Sequence, residues 1–156
     1  MKAAVYARVS TLDQKPESQL LDLRQLAAQR GFQITQEFVD HGVSGTRARR
    51  PALDQLMAAA RRGQFQVLLI WSFDRLARSV RHLLQTLDEL DHLHVQFVSL
   101  REGIDTVGPL GRALITIIGA IGELERSLII ERVRCGMRRA KSAGPGSKPS
   151  SDPTLK

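Results

Sequence analysis

One cysteine, Cys135, is too few for a disulfide framework and fits a reducing compartment. No apolar run approaches the length of a membrane span. The opening stretch, MKAAVYARVS, is broken by Arg8 and does not read as a signal peptide. Neither a Gly-x4-Gly-Lys-Ser/Thr phosphate loop nor a Gly-x-Ser-x-Gly elbow is present. The four histidines, His41, His82, His92 and His94, are scattered and form no convincing metal cluster, so neither a metal nor a cofactor is expected. No internal repeat is visible. Lysine is scarce as well: of 23 basic residues only 5 are Lys, against 18 Arg.

What remains is an apolar fraction of 42% in 156 residues, enough for one globular domain with a hydrophobic core. A soluble, cytoplasmic protein is expected. Against 16 acidic residues the bases leave a net charge of +7. Arginine offers a planar fork that suits pairs of phosphate oxygens, which lysine does not. An arginine-rich composition is, by itself, equally compatible with codon bias. Placement favours a phosphate partner. Arg126, Arg132, Arg134, Arg138, Arg139 and Lys141 fall within sixteen positions that hold a single acid, Glu131. Arg47, Arg49 and Arg50 form a second cluster, and Arg75, Arg78 and Arg81 a third. Such concentrations are the electrostatic footprint of nucleic-acid binding.

Short apolar runs alternate with helical patterns. Strands are expected over residues 3–7, 34–39, 67–71 and 95–100, the third being apolar throughout and so covered on both faces. Helices are expected over 17–30, ended by Gly31; over 51–62, opened by Pro51 and ended by Gly63; and from a Ser79 cap to about residue 91. This order predicts an α/β fold: a mostly parallel sheet of four to five strands with flanking helices in three layers. In such sheets sites gather at the carboxyl ends of the strands.

A last helix over about 110–139 would be about 45 Å long. Leu110, Leu114, Ile117, Ile121, Leu124 and Leu128 make one apolar seam along it, and Ile118 lies on another apolar face. A central core helix would account for this, but self-association is favoured. Beyond Arg134 the helix turns basic. Residues 142–156, rich in Gly, Pro and Ser, read as a flexible linker. The resulting division is a core over 1–109, the long helix over 110–141, and the linker.

Three segments carry chemistry. In Tyr6-Ala7-Arg8-Val9-Ser10, alternation puts Tyr6, Arg8 and Ser10 on one face of the first strand. An arginine beside a hydroxyl at a strand's carboxyl end is a plausible phosphate-attack arrangement. WSFDRLAR follows the third strand, so Asp74, Arg75 and Arg78 share that edge; a plain surface Asp–Arg ion pair is the simpler reading of this motif alone. The loop HGVSGTRARR follows the second strand at the same edge and could close over DNA.

YARVSTLDQ with Gln19 downstream, VSG…RRPAL, FDRLAR and ELERSLIIERVRCG occur in one order and spacing. With them the sequence resembles the serine recombinases, the resolvases and DNA invertases, over about residues 2–140. The resemblance implies that Ser10 attacks a DNA phosphodiester, becomes linked to a 5′ end and frees a 3′ hydroxyl. A dimer that converts to a tetramer then exchanges strands and reverses the chemistry. The matched positions are Arg8, Ser10, Gln14, Gln19, Arg50, Asp74, Arg75 and Arg78. Glu131 and Arg132 match a Glu-Arg pair associated with DNA contact, to which Arg126, Arg134, Arg138 and Arg139 add charge. The resemblance also implies double-stranded DNA as partner and a bacterial or mobile-element source near the nucleoid. Arginines would do the work that metals do at most phosphoryl-transfer sites. Small members of the family continue into a site-reading helix-turn-helix, for which residues 142–156 have no room.

Overall fold

A computed structural model of the chain describes residues 1–10, 16–42 and 49–142. The linker stretch 143–156, Gln14 and residues 43–48 of the arginine-rich loop therefore lie outside the described residues. Two compact units, Met1–Gly122 and Glu123–Lys156, divide the chain. The first holds β1 (Lys2–Ser10), α1 (Pro16–Arg30), β2 (Gln33–Gly42), α2 (Pro51–Arg61), β3 (Val67–Ile70), α3 (Phe73–Leu76), α4 (Val80–His92), β4 (Gln96–Ser99) and β5 (Ile104–Asp105). α5 (Pro109–Ser142) begins in the first unit and supplies the helix of the second. No described helix is long and apolar enough to cross a membrane.

The strands make one sheet in the order β2-β1-β3-β4-β5, parallel except for β5. β1 and β3 lie inside it, and Ala3 to Ala7 and Val67 to Ile70 are completely buried. Period-two alternation sorts their side chains into two cores. Ala4, Tyr6, Leu68 and Ile70 meet Leu53 and Leu56 of α2 and Leu87 and Leu90 of α4 on one face. Ala3, Val5, Val67 and Leu69 meet Leu23 and Ala27 of α1 on the other. Each large aliphatic side chain so enclosed contributes about 1.5–3 kcal/mol. The expected three-layer α/β fold is the one observed.

Several local expectations hold. Gly31 and Gly63 follow their helices with φ of 69° and 66°, where a side chain would be strained. Pro51 sits in the first turn of α2. Ser79 Oγ accepts from the backbone N–H of His82 at 3.1 Å. Others shift. The third strand ends at Ile70 rather than residue 71, with Trp71 and Ser72 forming the link to α3. The fourth begins at Gln96, after His94 bends the chain with φ 57°. β5, two residues long, has too little periodicity to be seen in a sequence. Gly111 shows why α5 can start where it does: a Cβ there would lie 2.1 Å from Thr106 Cα and 2.5 Å from the Asp105 carbonyl oxygen. Only glycine lets the first turn of α5 rest on the end of β5.

Candidate active site

β1, β2 and β3 run parallel, so their carboxyl ends share one edge of the sheet. β1 ends at Ser10, whose Cα pairs with that of Gly42 at the end of β2. Arg8, two residues earlier, lies against Gly42: a Cβ at that glycine would be 3.1 Å from Arg8 Nε and 3.4 Å from Nη2. Any other residue at 42 would require the Arg8 guanidinium to shift by a few tenths of an ångström.

Beneath Arg8 is a buried hydrogen-bonded hub. Tyr6 Oη donates to Asp40 Oδ2 at 2.9 Å. Asp40, at 3% exposure, also accepts from the N–H groups of Ala52 at 2.9 Å and Leu53 at 3.0 Å, the opening turn of α2. A β2 carboxylate thus satisfies two of the otherwise orphaned donors that begin a helix. Arg50 is the residue that caps this helix, so Asp40 fixes where Arg50 stands.

Arg50 reaches from α2 to the far end of α3, its Nη1 donating to the Leu76 carbonyl at 2.7 Å. Only 8% of it is exposed, and its Nη2 has no hydrogen-bond partner among the described residues. Burial, together with the positive charges of Arg8 and Arg78, pushes its pKa down, while Tyr6 and Asp40 pull it up. A guanidinium stays charged throughout the physiological range. Arg50 thus lies within electrostatic reach of both Arg8 and Arg78, and an anion beside it would relieve that repulsion.

α3 carries Asp74 and Arg75. Ser72 Oγ donates to Asp74 Oδ1, and Arg75 Nε stands 3.9 Å from Asp74 Oδ2. Arg78 is exposed just beyond this turn. His82, in the first turn of α4, has its pKa lowered by burial and then by Arg50 and Arg78. Gln19 of α1 is buried at 7%, and its Oε1 has no partner among the described residues. The side chain of Ser10 is outside what the structure describes. Arg50 lies within electrostatic reach of both Arg8 and Arg78, while Asp74 and Arg75 occupy the turn that Arg50 ties down.

On α5, Ile117, Ile121, Leu124 and Leu128 are exposed, as are Arg126, Glu131, Arg132, Arg134, Arg138 and Arg139. Leu114 is half-buried, and the side chain of Leu110 is not described. Ile118, on another apolar face of the helix, is partly buried against the core cluster that includes residues of α2 and α4. Sequence reasoning missed Asp40, and it used Tyr6 only to mark the phase of a strand. An acid near the end of the second strand, eleven residues before a helix-opening proline, was the available signal.

Tyr6 is the only tyrosine, so its ionisation can be followed alone. Burial raises its pKa well above the ordinary 10.0, and the charge and hydrogen bond of Asp40 raise it further. The unfolded chain loses the phenolic proton near pH 10; the fold resists that loss. Stability contributed by Tyr6 is therefore complete below pH 10 and falls as pH climbs towards the raised value. Tyrosinate absorbance is expected to be absent at about pH 11 and to appear only with unfolding. Titration near pH 10 in the intact fold would contradict a hydroxyl buried on Asp40.

The family model for the resolvase N-terminal domain matches residues 3–145. A probable DNA-invertase, y4cG of Sinorhizobium fredii, is 42% identical over 139 residues, which are 89% of this chain and 43% of that protein. The serine recombinase gin of Escherichia phage Mu is 37% identical over 139 residues, 89% of this chain and 67% of that one. The chain thus spans less than half of the first relative and two thirds of the second. Among solved structures, the N-terminal catalytic domain of TP901-1 integrase matches with a TM-score of 0.70 at 36% identity, covering 82% of this chain and 98% of that one. A resolvase family site-specific recombinase from Streptococcus pneumoniae matches at 0.68 and 26% identity, over 90% and 99%.

Proposed function

The chain belongs to the resolvase N-terminal domain family, and from that premise we propose that it cuts and rejoins DNA through a covalent bond to Ser10. The observation that carries this reading is Arg50, buried with its Nη2 unpartnered among the described residues and within electrostatic reach of Arg8 and Arg78, beside the sheet edge where β1 ends at Ser10. A phosphodiester is shielded by its own negative charge and a serine hydroxyl is a weak nucleophile. Preorganised donors aimed at the phosphoryl oxygens answer both difficulties, since they favour charge as it develops in the transition state.

The Ser10 oxygen forms a bond to phosphorus as the bond from phosphorus to O3′ breaks, and the electron pair leaves with O3′. The serine hydroxyl proton is released and O3′ takes one up, so protons balance. Asp74 is our candidate for that second proton, with Arg8 and Arg75 as the cationic alternatives. The resulting 5′-phosphoserine is still an ester, so attack by a 3′ hydroxyl restores DNA without a nucleotide cofactor. Gln14 and Gln19 complete the set as polar contacts.

Double-stranded DNA is the partner. The exposed bases of α5, Arg126, Arg132, Arg134, Arg138 and Arg139 beside Glu131, supply phosphate contacts. The exposed Ile117, Ile121, Leu124 and Leu128 supply the surface for a dimer that becomes a tetramer on synapsis. In this reading residues 1–109 are the catalytic core and 110–141 the helix that joins subunits and DNA.

The test fuses the chain to a zinc-finger array and supplies DNA with two array sites flanking a varied core. A denaturing gel is expected to show a protein–DNA adduct that vanishes in Ser10→Ala. An adduct that persists in Ser10→Ala would remove Ser10 from the role. No adduct, even after activating changes in α5, would point to a relative that binds without cutting.

A further inference from the structure

We propose that Glu102, in the turn between β4 and β5, is a positioning residue for the turn that carries Asp74 and Arg75. The inference rests on the reading of that sheet edge as the cleavage site. α3 has four residues, a single turn, and an isolated turn of helix is unstable because fixing its backbone yields about one hydrogen bond. Something outside it must hold it in place. Ser72 stands at its N-cap but makes no capping bond, because its hydroxyl is directed to Asp74.

Glu102 takes over that task from 29 residues away: its Oε1 accepts from the Phe73 N–H at 3.3 Å, the first residue of α3. Its Oε2 accepts from Ser99 Oγ at the end of β4, which fixes the rotation of the carboxylate. The two residues before it grip the same segment. Leu100 N–H donates to the Ile70 carbonyl at 3.0 Å, and Arg101 N–H to the Trp71 carbonyl at 2.8 Å. The Arg101 guanidinium also lies 5.7 Å from the centre of the Trp71 ring. Residues 100, 101 and 102 thus follow the chain from β3 into α3 nearly residue by residue. With Arg50 bound to the Leu76 carbonyl, α3 is held at its front by an acid from one element and at its back by a base from another. The first hold sets where the turn begins, and so where Asp74 and Arg75, one and two residues on, stand relative to Ser10.

The hydrogen-bond pattern makes the role separable from charge. In Glu102→Gln the amide oxygen can still accept from Phe73 N–H while its NH2 donates to Ser99 Oγ. In Glu102→Ala neither bond survives. Two readouts on the full chain test this. By amide hydrogen exchange, Glu102→Ala is expected to speed exchange at Phe73 about tenfold or more, leaving Val67–Ile70 of β3 unchanged, while Glu102→Gln keeps the wild-type rate. With the zinc-finger fusion, Glu102→Ala is expected to slow adduct formation about ten- to a hundredfold at unchanged DNA affinity, the scale of a misplaced reacting group. Glu102→Gln is expected to restore most of that loss. Ser99→Ala, which frees only the second carboxylate oxygen, is expected to give a smaller loss in the same direction and serves if the alanine variant folds poorly. Unchanged exchange at Phe73 in Glu102→Ala, an unchanged adduct rate, or a glutamine variant as slow as alanine would each overturn the proposal. A wild-type chain that forms no adduct would count against the function reading, and exchange at Phe73 would then decide the Glu102 proposal.

Discussion

Replacement of Arg50 by alanine is expected to slow formation of the Ser10–DNA adduct about a hundred- to a thousandfold, the usual cost of one preorganised donor. Arg50 uses its two terminal nitrogens differently. Nη1 is committed to the Leu76 carbonyl, whereas Nη2 is buried with no partner among the described residues. The committed nitrogen holds α3; in the proposed reaction the other would donate to a phosphoryl oxygen. Lysine has one nitrogen on a flexible stem and can serve only one of these ends. Arg50→Lys is therefore expected to retain the Tm of the wild type more closely than Arg50→Ala does, yet to recover little of the rate. Single-turnover adduct formation on the zinc-finger fusion, beside a thermal melt, separates the two effects. A lysine variant at the full wild-type rate would show that Nη2 binds no phosphate.

Asp40→Ala is expected to have the largest effect on stability, a loss of about 3 kcal/mol or more. It would leave three buried donors without an acceptor: the Tyr6 hydroxyl and the N–H groups of Ala52 and Leu53. Asparagine does not repair this. Both carboxylate oxygens accept in the wild type, and an amide would turn a donor towards one of the donors it faces. Tyr6→Phe removes one bond and leaves the two at α2 intact, so its cost is expected to be smaller. Urea denaturation of the three variants checks the order, with alanine and asparagine both below phenylalanine. The alanine variant should also cut more slowly, because α2 and its cap residue Arg50 lose their anchor to β2. An Asp40→Ala chain as stable as the wild type would show that the hub does not hold the helix.

The Glu102 and Asp40 arguments share a pattern. The start of α2, beside Arg50, and the start of α3, just before Asp74 and Arg75, are each fixed by a carboxylate from outside the helix. Arg8 is fixed differently, by the absence of a side chain at Gly42.

How much of this could be read from the sequence depends on the range of the interaction involved. The alternation of apolar runs with helical patterns, Gly31 and Gly63 after their helices, Pro51 opening α2 and the Ser79 cap are all local. Each acts within a few residues, so sequence order alone determined them, as it determined that Ser10 ends one parallel strand while Arg50, Asp74 and Arg75 follow others at the same edge. The motif order was enough to indicate the family. Only the tertiary structure decided which arginine leans on Gly42, that Asp40 joins Tyr6 to the start of α2, that Arg50 spans to α3, and that Ile118 packs partly against the core. It also decided that β5 exists and that Glu102 caps a helix 29 residues before it. A hydrogen bond depends on distance and angle within a few tenths of an ångström. Those are set by how whole elements pack, and no spacing along the chain encodes them.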